Sequence, residues 1–398
     1  MTITTKGLIA AVIALATAVP AAASEYWARS WAASPQAVRS APSPTVAITP
    51  DRTIRQIVRL SIGGGSFRLR LSNEFTPADV RIGAVRVALV DAAGQLVPGS
   101  ARVVQFDGRE DVTMPASAAV LSDPIALPVP SLSRLVVSLY LPQGAARPTI
   151  HERAQATVWL APGNQVDAAT LHDAAAVPWR FALSGVEVES PRPRRTVVAF
   201  GDSITDGIRG TDDADDRWPD ILAKRLQDAH VDIGVANAGI SGNRLLRNGA
   251  ADNALARFDR DALAVPGVSH VIVLEGINDI GQGFRDHPPT ISAEMLIFAL
   301  RQMIARAHTN GVKLILGTIM PFGGGGSWRA EADGVRRAVN DWIRTTREAD
   351  GFVDFDRAVA DPADPLRLAA AYDSGDHLHP NDAGLRAMGL AVDLRLLR

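Results

Sequence analysis

After residue 195 the chain alternates short β-branched or apolar runs with amphipathic stretches, and this alternation narrows the fold more than any other feature. The runs fall at 196–200, 231–236, 270–275, 312–318 and 352–355. Between the first two, Trp218, Ile221, Leu222 and Leu226 share one helical face. Strand and helix alternating in this way predict a doubly wound parallel sheet. Right-handed crossovers then gather the strand C-terminal ends, and the loops after them, on one rim.

The preceding part of the chain follows a different pattern. Segments 55–62 and 67–71 flank Gly63-Gly64-Gly65, and Phe67, Leu69 and Leu71 alternate with Arg68, Arg70 and Ser72. Period-two alternation around a glycine turn predicts a β-hairpin with one buried face. Further short apolar runs at 80–90, 101–106, 125–127 and 135–141 predict an all-β sandwich or jelly-roll domain over 25–186. Arg55, Arg59, Arg68 and Arg70 read as a solvated sheet face. This domain either binds a polysaccharide or packs against the second half and shapes its cleft. Segment 187–195 is charged, proline-bearing and aperiodic, so it reads as a linker, and 196–398 forms the α/β domain. A chain of 398 residues exceeds the size of one hydrophobic core, which agrees with two domains.

The N-terminus reads as a signal peptide over 1–24. Lys6 supplies a positive start, 7–19 is apolar, and Ala21-Ala22-Ala23 offers small residues for cleavage near Ala23 or Ser24. An anchor or a buried helix are the alternatives, but the run is short for a bilayer. The expectation is a secreted or periplasmic protein with no stable membrane insertion after cleavage. The chain has no cysteine, which rules out disulfides, thiol catalysis and cysteine-metal sites. A formal charge of -2 gives no attraction for nucleic acid. A small, uncharged or mildly polar substrate fits this balance, and no cofactor is implied.

Four rim segments carry chemistry. Ser203 lies in Gly201-Asp202-Ser203-Ile204-Thr205-Asp206-Gly207, directly after the first strand, where it is either a nucleophile or a helix N-cap. The second strand ends in Asn237-Ala238-Gly239-Ile240-Ser241-Gly242-Asn243, whose glycines can present backbone N–H groups to an oxyanion or simply make a turn. The third ends in Glu275-Gly276-Ile277-Asn278-Asp279, and Asn278 brings an amide donor to the same rim. Near the C-terminus, Asp376 and His379 stand three apart, close enough for the carboxylate to hold the imidazole. His377 and His379 with nearby aspartates also allow a metal site or a helix cap, but the segment is short of metal ligands.

These residues resemble the SGNH hydrolases, the GDSL esterase/lipase family. The resemblance spans 196–397 and rests on Gly201-Asp202-Ser203, Gly242, Gly276-Ile277-Asn278-Asp279 and Asp376-His377-Leu378-His379-Pro380, with Trp218-Pro219 in support. It implies a flavodoxin-like three-layer α/β/α fold, Ser203 as nucleophile, His379 as base and Asp376 as its orienter. It also implies an oxyanion hole of Ser203 N–H, Gly242 N–H and the Asn278 side chain, without metal or cofactor. An N-terminal β-domain before this module resembles the arylesterase or carbohydrate-esterase-like branch, which implies a small-molecule or carbohydrate ester as substrate. Acyl transfer at the same site, or a carbohydrate-binding protein with an inert hydrolase half, are the rival readings.

Two further segments remain open. Met320 to Trp328 contains four glycines and reads either as a mobile substrate loop or as a connector. Asp212, Asp213, Asp215 and Asp216 read as a solvated loop rather than a calcium site, because no complete calcium-loop pattern is present.

Overall fold

The computed structural model describes residues 26–38, 46–153, 155–286 and 290–398. The expected signal segment at 1–24 lies outside the described residues. No helix among the described residues is long and apolar enough to cross a membrane.

The second half is built on β1 (Arg195–Gly201), β2 (Ile233–Gly239), β3 (Val268–Leu274), β4 (Lys313–Gly317) and β5 (Gly351–Val353). Their spatial order is β2-β1-β3-β4-β5, and every pair is parallel. This is the flavodoxin-like order, in which the chain reverses its direction of travel beside β1. The interior strand β1 is buried from Thr196 onward, so its residues read as an unbroken apolar run rather than an alternating one.

Eight helices are described in this half: α1 (Ser203–Asp206), α2 (Trp218–Asp228), α3 (Ala254–Phe258), α4 (Ile277–Gly283), α5 (Ala293–Thr309), α6 (Ala330–Thr345), α7 (Phe355–Val359) and α8 (Asp382–Ala391). Right-handed crossovers send the β1-to-β2 connection to one face and the next three to the other. The packing follows: α2 rests on α8 and α8 on α7, while α5 rests on α6 and α3. The result is the expected three-layer α/β/α domain. Its register matters most for function, because Gly201 of β1 is level with Gly239 of β2 and with Leu274 of β3. The three loops that follow therefore leave the sheet side by side.

The first half is all-β and antiparallel. One sheet orders Tyr26–Ala32, Leu183–Ser190, Phe67–Ser72 and Ala119–Leu121. A second, larger sheet orders Ala175–Val177, Val158–Pro162, Arg52–Arg59, Arg134–Leu141, Ala84–Val90 and Arg102–Val103, and two two-stranded pairs complete the half among the described residues. Ile54, Val58, Leu135 and Leu139 of the larger sheet share one core with Phe67, Leu69, Leu71 and Val186 of the smaller, which is the packing of a sandwich.

Two expectations for this half need correction. Arg52–Arg59 and Phe67–Ser72 do not pair as a hairpin but lie in different sheets. The intervening glycines let the chain step between the sheets, because a Cβ on Gly63 would stand 2.2 Å from the Val129 carbonyl oxygen. Alternation fixes which face is buried but does not name the neighbouring strand. The arginines are not a solvated face either. Arg55 is 8 % exposed and donates to Ser138 Oγ at 2.9 Å and Ala168 O at 2.6 Å, while Arg68 pairs with Glu187 and Arg70 with Glu74. Their long stems carry the guanidinium groups to acceptors that a shorter cation would not reach.

The linker expected at 187–195 is shorter than its composition indicates. Leu183–Ser190 runs through its first four residues and Arg195 opens β1. Glu187 is buried and paired with Arg29 at 2.8 Å and Arg68 at 2.7 Å, so its charge is compensated inside the structure. The seam between the halves is hydrogen-bonded: Arg29 N donates to Thr196 Oγ1 at 3.1 Å and Val235 N to Ser61 Oγ at 2.9 Å.

Candidate active site

Asp202 and Ser203 follow β1 at the start of α1. The Asp202 side chain caps α1 by accepting from Ile204 N at 2.9 Å. The cap is therefore Asp202, and Ser203 keeps its hydroxyl for another partner. Ser203 Oγ lies 2.8 Å from His379 Nε2, and His379 Nδ1 lies 2.8 Å from Asp376 Oδ2. The other Asp376 oxygen accepts from the backbone N–H groups of His379 and Leu378 at 2.8 and 3.0 Å. Burial acts to raise the Asp376 pKa, but the His379 N–H, its imidazole and the Leu378 N–H outweigh it and hold the carboxyl below the usual range.

Of the two histidines, the structure brings His379 to the serine. His377 pairs with Asp373 and is half exposed, with its backbone in the left-handed region at φ 61°. Asn381 caps α8 by accepting from Gly384 N at 3.0 Å.

The donor residues expected from the second and third strand ends converge on the same place. Gly276 caps α4 at φ 116°, a conformation that favours glycine, and it sets Asn278 in the first turn. Asn278 Nδ2 donates to Asn243 O at 2.9 Å. An amide NH₂ has two hydrogens, so a second donor remains. Ser203, Gly242, Asn278, Asp376 and His379 line one cleft of about 730 Å³. Arg153 and Gln155 of the β-domain complete its wall with Arg209 and Asp212.

Beneath this cleft lies a buried charge network. Arg257, 1 % exposed, donates to Asn243 Oδ1 at 2.8 Å, Gly201 O at 2.9 Å and Asp261 Oδ2 at 3.2 Å. Its guanidinium also stacks 4.0 Å over Phe200. It thereby ties the end of β1 to the loop after β2. Burial lifts the Asp202 carboxyl to about 7 against the pull of the Ile204 N–H. Burial, reinforced by the Asp202 charge, likewise pushes Glu275 well above its ordinary value. Arg257 and Glu275 carry no sequence signal, because a charged residue near a helix or strand end reads as solvated.

The remaining expectations resolve as follows. In the glycine-rich segment, Phe322 is fully buried and Gly323 N donates to Leu366 O at 2.7 Å. Gly324 and Gly325 lie against His377. Ser327 reaches a neighbouring pocket of about 440 Å³, which shares Gly242 and Asn278 with the main cleft. In the acidic loop, Asp213 accepts from Thr157 N at 2.7 Å and Asp215 from Arg134 Nε at 2.9 Å. Among the described residues, no group of three or more His, Asp or Glu is placed to hold a metal ion.

A serine bonded to a carboxylate-oriented histidine, set at the reversal point of a flavodoxin-like sheet with donors on both neighbouring strand ends, has the architecture of an SGNH hydrolase. Residues 199–387 match the GDSL-like lipase/acylhydrolase family. Residues 199–387 are thus a GDSL-like lipase/acylhydrolase domain, the domain of a carboxylic ester hydrolase of the SGNH/GDSL type. A search of curated proteins finds no significant match. Among solved structures the chain is similar to a protein of the G-D-S-L family from Desulfitobacterium hafniense, with 23 % identity and TM-score 0.39 over 50 % of this chain and 97 % of that one. An acetylxylan esterase from Geobacillus stearothermophilus shows 24 % identity and TM-score 0.39 over 51 % and 94 %. The M. smegmatis aryl esterase shows 16 % identity and TM-score 0.40 over 50 % and 95 %.

Proposed function

We propose that the protein hydrolyses short-chain acyl esters, acetyl or aryl, through an acyl-enzyme on Ser203. The observation that carries this reading is the unbroken relay from Ser203 Oγ through His379 to Asp376, with 2.8 Å at both steps. His379 Nε2 takes the hydroxyl proton as Oγ bonds to the ester carbonyl carbon, and the carbonyl electrons move to oxygen. Asp376 holds the Nδ1–H and stabilises the imidazolium. Ser203 N–H, Gly242 N–H and Asn278 Nδ2 donate to the oxyanion. Collapse of this intermediate expels the alcohol, which takes the proton from His379. Water then repeats the sequence on the acyl-enzyme, releasing the acid and restoring Ser203.

A cleft walled by Arg153, Gln155, Arg209 and Asp212 favours a polar alcohol portion over a long aliphatic one, and a carbohydrate ester meets that requirement. The apolar segment at 7–19 after Lys6 supports export, so the site of action is periplasmic or extracellular. The test compares p-nitrophenyl acetate, longer p-nitrophenyl esters and acetylated xylan for the natural protein and Ser203→Ala. The expected result is activity on the acetyl substrates that Ser203→Ala abolishes. Full activity in Ser203→Ala overturns the reading.

A further inference from the structure

We propose that the β-domain is part of the catalytic apparatus, with His151 as a positioning residue that fixes the Gly242 loop through Asp206 and Ser241. The inference rests on the serine mechanism above and adds a residue from the other half of the chain.

His151 ends the short strand Ile150–His151, which pairs with Arg180–Phe181 in the β-domain. It is 6 % exposed. Its Nε2 lies 3.0 Å from Asp206 Oδ1, and its Nδ1 lies 2.9 Å from the Ser34 carbonyl oxygen. A carbonyl oxygen only accepts. Nδ1 therefore donates to the Ser34 carbonyl, and the ring bridges the β-domain backbone to the buried Asp206 carboxyl group.

Asp206 is the last residue of α1, three after Ser203. Its second oxygen, Oδ2, accepts from Ser241 N at 3.0 Å and from Ser241 Oγ at 2.6 Å. Ser241 precedes Gly242, whose N–H is one of the proposed oxyanion donors. One carboxylate thus ties the nucleophile turn, the donor loop and the β-domain together. Nearby cations are otherwise engaged, Arg180 with Ile57 O and Arg217 with Asp220. The Ser34–Gln36 segment touches the donor loop once directly and once through α3: Gln36 Nε2 donates to Ala250 O at 3.4 Å, and Arg257, which holds Asn243, donates to Ser34 Oγ at 3.4 Å.

The chemistry makes this more than domain glue. Gly242 is exposed at the cleft, and an oxyanion donor is effective only if its direction is set before the reaction. Removing the imidazole leaves Asp206 Oδ1 buried without its partner, so the side chain shifts and releases Ser241. The donor N–H then loses its aim while the substrate cleft stays open.

The test uses the full chain with p-nitrophenyl acetate. His151→Ala is expected to lower kcat between about tenfold and a hundredfold, with KM within about twofold. Inhibition by an arylboronic acid, whose tetrahedral adduct on Ser203 places an oxygen in the oxyanion hole, is expected to weaken by the same factor. Ser241→Ala is expected to act in the same direction, and the double variant to lose no more than the worse single one. An unchanged kcat in His151→Ala, an unchanged boronate affinity beside a reduced kcat, or full multiplication in the double variant overturns the inference. If His151→Ala does not fold, Ser241→Ala decides alone, and normal turnover there refutes it. Ser203→Ala separates the two levels: its retained activity sinks the serine mechanism, whereas an inactive Ser203→Ala beside a fully active His151→Ala sinks only the positioning role.

Discussion

Asn278→Ala removes two things at once, and the structure lets them be weighed separately. One amide hydrogen holds the Asn243 carbonyl at 2.9 Å; the other is available at the cleft. Losing the first costs about 1 kcal/mol of stability, the net value of one such hydrogen bond, which for a domain of this size lowers Tm by roughly 2–4 °C. Losing the second costs about 3 kcal/mol in the transition state, equivalent to a fall in kcat of about two orders of magnitude. The two losses differ in where they appear. An oxyanion donor acts on charge that develops during the reaction, so KM should stay within a few fold. Initial rates of p-nitrophenyl acetate hydrolysis give kcat and KM, and thermal unfolding gives Tm. Turnover within threefold of the natural protein at an unchanged Tm would refute the placement of Asn278 in the oxyanion hole. A collapse of Tm by 15 °C would refute the claim that the loss is mainly chemical.

Two further predictions follow from the same geometry. Asp376→Asn keeps the size of the side chain but no longer fixes the His379 tautomer, so turnover should fall by about 10⁴, whereas His377→Ala should leave it near normal; the reverse ranking in a kcat assay would mean that the wrong histidine has been assigned. Asp202 is raised to about 7 by burial, above the ordinary value that it takes in the unfolded chain. Its contribution to stability is therefore full at pH below about 4 and is lost as pH rises toward 7. Asp202→Asn preserves the cap on Ile204 N and removes that loss, so denaturant unfolding should show a gain at pH 8 and almost none at pH 4. A uniform shift at both pH values would contradict it.

Much of the catalytic half is legible in the sequence for a simple reason. Parallel strands buried on both faces are written as uninterrupted apolar runs, and the residues that do chemistry sit on loops beside them. The runs around 196–200 and 270–275 needed only one or two residues of adjustment to become β1 and β3. The β-domain was less legible. Its alternation correctly buries Phe67, Leu69 and Leu71, but nothing local distinguishes a hairpin partner from a strand more than a hundred residues away, and Phe67–Ser72 pairs with Leu183–Ser190. Charged residues misled for a related reason. Arg55, Glu187 and Arg257 look solvent-facing until their distant partners are known.

The sequence by itself determined the fold class of the second half and marked the segments around Ser203, Asn278, Asp376 and His379, because strand periodicity and side-chain chemistry are local properties; the family resemblance added Gly242 and the role of each residue. Only the tertiary structure decided that Asp202 rather than Ser203 caps α1 and that His151 of the other domain reaches Asp206, and it carries His379 to within hydrogen-bonding distance of Ser203. The two histidine contacts join residues 55 and 176 positions apart, and it is the folding of the sheet and the docking of the sandwich against it that bring them within hydrogen-bonding distance.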